Sequence, residues 1–365
     1  KKSSVMTWPL PHANWVKMLH SRKEVCQMRH LVVLLSLVAF ADPSAWAQTK
    51  KILLNNPDPA LLKELQSVTP SARVVPVTPQ SIMGEIGDAD ALIGEITPEE
   101  VRAGKKLRWV QTMSAGVERI LHLTGTTDLR DSQIVLTNNR IVQGPEIADH
   151  AMAMLLTLSR GIHTFLLHKQ QELWQPRPYA GIELNGRTAV VIGVGGIGTQ
   201  IAFRAWAHGM EVIGVDPKDI PYMPILKKVV KPDQLDTVLP VADVVFVAAP
   251  HTPMSHKMMG PKQFELLKKG AYFIAVSRGG LYDLDAVVRG LETKHLAGVG
   301  VDVTDPEPLP KGHPLWKCDN VIITPHIAGR SDKDRDRMVA TIKENIRRFV
   351  EGKPLVNVVD KQKGY

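Results

Sequence analysis

The chain has 365 residues, of which 44% are hydrophobic and 22% are charged, and its formal net charge is +8. This length suffices for two domains that each bury a core, and the composition excludes a disordered or low-complexity chain. Residues 1–47 hold six Lys or Arg against two acidic residues, and the remaining positive charge is spread without a basic run, which argues against a nucleic-acid partner.

Residues 1–47 are predicted to be a leader with the pattern of a signal peptide. Met28-Arg29-His30 precedes an apolar run, Leu31–Ala41, and Ala45-Trp46-Ala47 has the small-x-small form of a cleavage site. This order is typical of a secretory signal peptide, and the run is too short to span a bilayer. The pattern predicts an exported or periplasmic protein without a membrane span in the mature chain; a cytoplasmic protein with an N-terminal extension is the alternative.

The first part of the body alternates strand and helix patterns, which is typical of a parallel α/β sheet. A helix is predicted at Ala60–Val68. From Pro145 to about Trp174, apolar residues recur at helical spacing and predict one long helix. Short apolar runs predict strands at Lys51–Leu54, Val74–Val77, Ala91–Ile93, Trp109–Met113 and Ile134–Leu136.

A second alternating series follows Gly186 and predicts a second sheet. A helix at Ile197–Trp206 separates its first two strands, and an amphipathic helix at Met338–Phe349 is expected to return to the first domain. Together the two series predict an α/β fold with two doubly wound domains. The strands of the second series are predicted at Thr188–Ile192, Glu211–Val215, Asp243–Ala248, Tyr272–Val276, Gly298–Val301 and Val321–Ile323.

A glycine motif marks the second series as a dinucleotide-binding domain. Residues 193–198 read G-x-G-x-x-G between a strand and a helix, and Asp216 closes the next strand 23 residues after Gly193. Asp216 can accept hydrogen bonds from a ribose 2′-hydroxyl and would repel a 2′-phosphate, so the predicted cofactor is NAD and NADP is disfavoured. A glycine-rich turn without a ligand is the alternative. The predicted cofactor contacts here are Gly193, Gly195, Gly196, Ile197, Gly198 and Asp216.

Three polar residues at or beyond later strand ends suit the oxidation of a 2-hydroxy acid. Arg278 can bind a carboxylate through its guanidinium fork. His326 can take the hydroxyl proton and return it. Glu307 can fix the tautomer of that histidine. Taken singly, each residue is as compatible with an ordinary surface or loop position as with an active site. The three residues together predict an active site.

The order and spacing of these motifs resemble the D-isomer-specific 2-hydroxyacid dehydrogenase family from about Lys51 to Val359. The resemblance implies that Arg278 binds the substrate carboxylate and carbonyl, and that Glu307 and His326 form the proton relay. It also implies that Asp302 contacts the nicotinamide carboxamide. Ala275 and Tyr282 depart from residues common in relatives. By the same resemblance, further contacts are Pro250 and Thr252 on the adenosine side, and the backbone N–H groups of Ser114, Ala115, Gly116 and Val117 on the substrate carboxylate.

The resemblance implies a Rossmann NAD-binding domain at 147–325, inserted in a flavodoxin-like substrate domain made of 48–146 and 326–360. It also implies a homodimer built through the cofactor domain. The predicted function is NAD-dependent interconversion of a small D-2-hydroxy acid and its 2-keto acid. A non-catalytic, NAD-sensing interaction protein on the same fold is the alternative. The substrate is left open, with its pocket expected near Leu92–Glu95 and Met113.

Cysteine and histidine patterns predict neither a disulfide nor a metal site. Cys26 lies in the leader and Cys318 is the other of the two cysteines, so the body offers no intramolecular pair. No group of Cys and His residues has the spacing of a zinc site. We therefore expect chemistry that needs no bound metal.

Overall fold

The computed structural model describes residues 49–177 and 181–365. The predicted leader lies outside the described residues. Gln48–Tyr365 form one compact unit. Within the described ranges, no helix is both long and apolar enough to cross a membrane.

The first sheet is parallel and has the strand order β2-β1-β3-β4-β5. Its central strands are buried on both faces, as an all-parallel sheet requires, which explains their short, continuous apolar runs. The strands are β1 Lys50–Asn55, β2 Ala72–Val77, β3 Ala91–Ile93, β4 Trp109–Gln111 and β5 Val135–Thr137. The helices between and after them are α1 Pro59–Gln66, α2 Ile82–Glu85, α3 Pro98–Ala103, α4 Glu118–Leu121 and α5 Asp128–Asp131.

Local signals set the starts of these helices. The Asp58 side chain accepts from the Leu61 N–H at 2.8 Å and caps α1, with proline as the first helical residue. Thr97 and Glu100 form a reciprocal capping box at the start of α3. These caps fix where the two helices begin, a few residues after the strands that precede them.

The second sheet is parallel and has the strand order β12-β11-β10-β9-β6-β7-β8. The order reverses between β6 and β9, and a similar reversal lies between β1 and β3 in the first sheet. Both sheets are therefore doubly wound, which confirms the predicted fold class. The strands are β6 Thr188–Ile192, β7 Glu211–Val215, β8 Lys228–Val230, β9 Val244–Val247, β10 Ala271–Ala275, β11 Leu296–Val301 and β12 Val321–Ile323.

The helices after β5 connect and cover the two sheets. Helix α6 packs its apolar face against the second sheet, where Ala151 and Leu155 share a core with Val191. Helix α12 returns to the first sheet, where Ile342 and Ile346 are fully buried. These helices are α6 Gly144–Ser159, α7 Ile162–Gln170, α8 Gly196–Ala207, α9 Leu235–Val238, α10 Pro261–Leu266, α11 Leu284–Glu292 and α12 Asp334–Val350.

The single long helix predicted from Pro145 to about Trp174 is wrong. It is broken into α6 and α7 at Gly161, whose φ of +64° is a left-handed conformation that a helix interior does not allow. After the break, α7 buries none of its residues. The apolar pattern of the segment did not reveal this change, because Gly161 falls on a helical spacing that stays apolar on both sides. Strand β8 and helices α9, α10 and α11 were not predicted.

Candidate active site

A cleft of about 1740 Å³ lies where the chain leaves the strands of both sheets. Its walls are the segments that follow β1, β4 and β5 in the first sheet and β6, β7, β9, β10, β11 and β12 in the second. Because the carboxyl ends of parallel strands meet at one edge, residues far apart in sequence converge there. All of the predicted site residues line this cleft except Gly198 and Glu307.

The glycine turn after β6 leaves room for a phosphate group. Gly193 has a φ of +89°, and a Cβ there would press on the backbone of Ala249. A Cβ on Gly198 would collide with the Gly193 carbonyl oxygen, so this glycine permits the close contact between strand and helix. In contrast, a Cβ on Gly195 would meet nothing within 4 Å. The open side of the turn faces the start of α8, where N–H groups and the helix dipole favour an anion. The turn therefore fits a dinucleotide pyrophosphate.

Asp216 follows β7 and joins the glycine turn to the next loop. Its carboxylate accepts from the backbone N–H of Val194 and of Lys218, each at 2.8 Å. The residue is only 8% exposed, yet it lines the cleft. A fixed, ionisable acceptor beside the turn suits the hydroxyls of an adenosine ribose.

Arg278 reaches across the cleft from β10 to the first sheet. Its Nε–H donates to Glu118 Oε1 at 2.5 Å, and its Nη1 donates to the Ser277 carbonyl oxygen at 2.7 Å. A Cβ on Gly116 would collide with Nη2, so the guanidinium lies directly against the backbone of residue 116. The Glu118 side chain is 12% exposed. Sequence reasoning missed Glu118, although it directly follows the predicted substrate loop.

The predicted substrate loop, Ser114–Val117, is held from behind, and the Ser114 N–H, which was predicted to contact the substrate carboxylate, instead donates to Thr112 Oγ1 at 3.1 Å. The Asn138 side chain donates to the Ala115 carbonyl at 2.6 Å, and the Asn139 N–H donates to the Ser114 carbonyl at 3.0 Å. Among the described residues, the N–H groups of residues 115–117 have no hydrogen-bond acceptor. Together with the guanidinium of Arg278, these donors form an anion site of the size of a carboxylate.

His326 follows β12 and is paired with Glu307. The His326 Nδ1 and Glu307 Oε1 atoms are 2.7 Å apart, and 41% and 43% of the two side chains are exposed. With Nδ1–H donating to the carboxylate, Nε2 is left for a substrate. His326 also has a φ of +55°, a conformation that residues other than glycine rarely adopt.

Asp302, at the end of β11, holds the loop that carries His326. One carboxylate oxygen accepts from the Ile327 N–H and the other from the Ala328 N–H, both at 2.9 Å. The backbone carbonyl of Asp302 accepts from the His326 N–H, also at 2.9 Å. The Thr324 hydroxyl donates to the same carboxylate. These bonds hold His326 in its left-handed conformation. Asp302 also lines the cleft, and its contact with a nicotinamide carboxamide stays a prediction.

The expected pocket residues are only partly correct. Leu92 is fully buried in β3, and the segment Leu92–Glu95 does not line the cleft. Met113 does line it, together with Asn55–Asp58 after β1. Pro250 and Thr252 lie in the wall after β9, as the family resemblance implies. Tyr282 points away from the cleft and donates to the Val303 carbonyl, and burial raises the pKa of its hydroxyl.

Comparisons with known proteins agree with this geometry. A model described as the D-isomer specific 2-hydroxyacid dehydrogenase, NAD binding domain, matches residues 152–328. A glyoxylate reductase of Korarchaeum cryptofilum is 30% identical over 307 residues, which are 79% of this chain and 87% of that protein. A D-3-phosphoglycerate dehydrogenase of Methanocaldococcus jannaschii is 30% identical over 322 residues, and this chain spans 59% of its length.

The solved structures include similar proteins of the same architecture. A D-isomer specific 2-hydroxyacid dehydrogenase from Xanthobacter autotrophicus, in complex with NADPH, is 25% identical and superposes with a TM-score of 0.75. The match covers 87% of this chain and 100% of that one.

Proposed function

The chain belongs to the D-isomer specific 2-hydroxyacid dehydrogenase family, and we propose that it interconverts a small D-2-hydroxy acid and its 2-keto acid with NAD. The observation that carries this proposal is the convergence of Arg278 and His326 on the cleft that also contains the glycine turn. A cation, a proton carrier and a dinucleotide site in one cleft are what hydride exchange at a 2-hydroxy acid requires.

Each residue has a separate task in the proposed reaction. Bound nicotinamide supplies or accepts the hydride at the 2-carbon. Arg278 and the N–H groups of residues 115–117 bind the substrate carboxylate and orient the 2-oxygen. His326 gives a proton to that oxygen through Nε2 during reduction and removes it during oxidation. Glu307 accepts from Nδ1–H and stabilises the imidazolium that oxidation leaves.

The proposed cofactor preference rests on Asp216. Its carboxylate would repel a 2′-phosphate, and its two backbone hydrogen bonds prevent it from turning away. Since the Xanthobacter relative was solved with NADPH, the preference needs its own test. We expect the purified chain to bind NADH at least tenfold more tightly than NADPH, and Asp216→Ser to narrow that ratio. An unchanged ratio in this variant would contradict the assignment of Asp216.

A homodimer is part of the proposal and is supported by exposed apolar side chains on the second domain. A charged residue among these side chains should separate the subunits, so Leu166→Glu is expected to give monomers in sedimentation experiments. A dimer that persists in this variant would place the interface elsewhere. The side chains are at least 44% exposed and lie in α7, the residues after it and α8: Ile162, Leu166, Leu167, Leu173, Trp174, Phe203 and Trp206.

Export is also proposed, on the sequence pattern of residues 1–47. Mass spectrometry of the protein made in its native cell tests it directly. A mature chain that starts at Gln48 is the expected result, and an intact leader would favour the cytoplasmic alternative.

The activity is tested with a panel of 2-keto acids, including glyoxylate and hydroxypyruvate, while NADH absorbance is followed. We expect turnover of at least one small 2-keto acid and its loss in Arg278→Ala. Dinucleotide-dependent dimerisation without turnover on the whole panel would contradict the proposal and favour the non-catalytic alternative.

A further inference from the structure

The segment Asp360–Tyr365, which we call the clasp, bridges the two domains at one end of the cleft. It follows Val359, which is buried in the core of the first sheet, and its last four residues line the cleft. Residues 360–365 lie outside the part of the chain that matches the family model. That match covers only the NAD binding domain, so it bears on neither the first domain nor the clasp.

Lys361 anchors the clasp to the first domain. Its ammonium group donates to the carbonyl oxygens of Leu129 at 2.9 Å, Ser132 at 2.7 Å and Ile134 at 2.8 Å. Three carbonyl acceptors around one half-buried ammonium group fix both the side chain and the backbone next to it. The Gly364 N–H donates to the Asp360 carbonyl at 2.8 Å and closes the clasp into a turn.

The other end of the clasp reaches the cofactor domain. Gly364 lies against His122 of the first domain and near Thr252, after β9: an added Cβ would collide with His122 Nε2 and would stand 3.4 Å from the threonine methyl group. The Lys218 ammonium lies over the Tyr365 ring, 4.4 Å from its centroid. Burial raises the pKa of the Tyr365 hydroxyl, and the negative charge of Asp216 contributes to that shift. Because the Lys218 backbone N–H also donates to Asp216, the Tyr365 ring lies near the carboxylate that suits an adenosine ribose.

We propose that Tyr365 is a binding residue for the adenosine half of the dinucleotide, and that the clasp forms the outer wall of that subsite. This inference rests on the proposed function. An aromatic ring in the wall of a cleft offers a flat apolar surface to a purine base. Lys218 covers one face of the ring, and Lys361 holds the clasp in place from the first domain. The two domains therefore both contribute to the adenosine subsite.

The expected loss of affinity follows from the binding free energy that an aromatic ring contributes when it contacts a base. Removing such a ring weakens binding by about tenfold. Tyr365→Ala should therefore weaken NADH and ADP-ribose by similar factors, because both ligands contain adenosine. Reduced nicotinamide mononucleotide lacks adenosine, and its affinity should stay unchanged. Tyr365→Phe keeps the ring and should bind all three ligands like the unaltered chain.

Dissociation constants for these three ligands, measured by fluorescence and calorimetry on the full chain, test the proposal. Lys361→Met should lose part of the ADP-ribose affinity, since it frees the clasp without altering the cofactor domain. Tyr222→Ala is the matched control, because this tyrosine is 89% exposed and does not line the cleft. Melting temperatures within about 2 °C of the unaltered chain would show that each variant is folded.

Four outcomes separate the possibilities. Unchanged ADP-ribose affinity in Tyr365→Ala would overturn the inference. Tighter binding in that variant would also overturn it, because Tyr365 would then obstruct the subsite. Tyr365-dependent binding of ADP-ribose, in a chain that turns over no 2-keto acid, would keep the inference and remove the proposed function. Failure of the unaltered chain to bind ADP-ribose would overturn both.

Discussion

Asp302→Asn is the substitution that most directly tests how the fold presents His326. Asp302 is 2% exposed, and its two carboxylate oxygens accept from the N–H groups of Ile327 and Ala328. An asparagine keeps one acceptor oxygen and places an NH₂ group where the second oxygen was. One backbone N–H of the loop then loses its partner and faces another donor.

The loss of stability in Asp302→Asn follows from these hydrogen bonds. A hydrogen bond to a charged acceptor contributes about 1.5–3 kcal/mol, and a buried N–H left unpaired costs about 1–3 kcal/mol. Because the two figures describe largely the same loss, we expect a destabilisation of about 2–3 kcal/mol. For a chain of this size that lowers the melting temperature by roughly 4–10 °C. His326 would no longer be held at its φ of +55°, and a displacement of about 1 Å at a reacting group can cost about 100-fold in rate.

The assay combines calorimetry with steady-state kinetics on the best 2-keto acid. Asp302→Asn should lower both the melting temperature and kcat, the latter by at least tenfold. Asp283→Asn is the matched control: Asp283 caps α11 through the Ala286 N–H at 2.8 Å, and asparagine caps a helix about as well. If Asp302→Asn kept its melting temperature and kcat within the range of the control, the positioning role of Asp302 would be refuted.

Three further predictions concern other parts of the site. Glu118→Ala should raise KM for the 2-keto acid about tenfold without changing NADH affinity, because the Arg278 guanidinium loses its side-chain acceptor; Glu118→Gln keeps an acceptor and should recover most of the loss. Gly198→Ala should lower the melting temperature and weaken NADH binding, whereas Gly84→Ala, where an added Cβ meets nothing within 4 Å, should leave both nearly unchanged. Burial, followed by the charge of Arg130, lowers the pKa of His122 against the opposing effect of Glu118, so the unfolded chain binds a proton before the folded chain does as pH falls below about 6.5. Stability should therefore decline between pH 7 and pH 5, and His122→Gln should reduce that decline.

The same measurements contain the results that would count against these predictions. An equal rise of KM in both Glu118 variants would mean that its charge, not its hydrogen bond, is what matters. A Gly198→Ala chain as stable as Gly84→Ala would refute the close packing of α8 on β6. A pH dependence of stability that is the same with and without His122 would assign the decline to other groups.

The parts of the fold and site that sequence could predict are those with a local pattern. The glycine turn, Asp216 and the strands around them follow from spacing within a single β-α-β unit, and the structure places them as expected. Arg278 and His326 were found because each follows an apolar strand, and strand ends of a parallel sheet converge. The broken helix at Gly161 was missed because a single glycine is compatible with a helix until tertiary packing decides its φ.

The remaining features depend on contacts between distant segments. Glu118 and Arg278 are 160 residues apart, so no spacing rule links them. Asp302 looks like a cofactor residue in sequence, and its hydrogen bonds to the His326 loop appear only when β11 and β12 lie side by side. The clasp has no motif at all, and its position follows from three carbonyl groups that happen to surround Lys361.

The central claim is that His326 carries the proton of a hydride transfer at the 2-carbon of a hydroxy acid. The most direct measurement is NADH-dependent reduction of a small 2-keto acid by His326→Gln, compared with His208→Gln at an exposed position on the end of α8. His326→Gln should lose at least about 100-fold in kcat while it binds NADH normally, and His208→Gln should keep full activity. Turnover by His326→Gln within a few-fold of the unaltered chain would contradict the central claim.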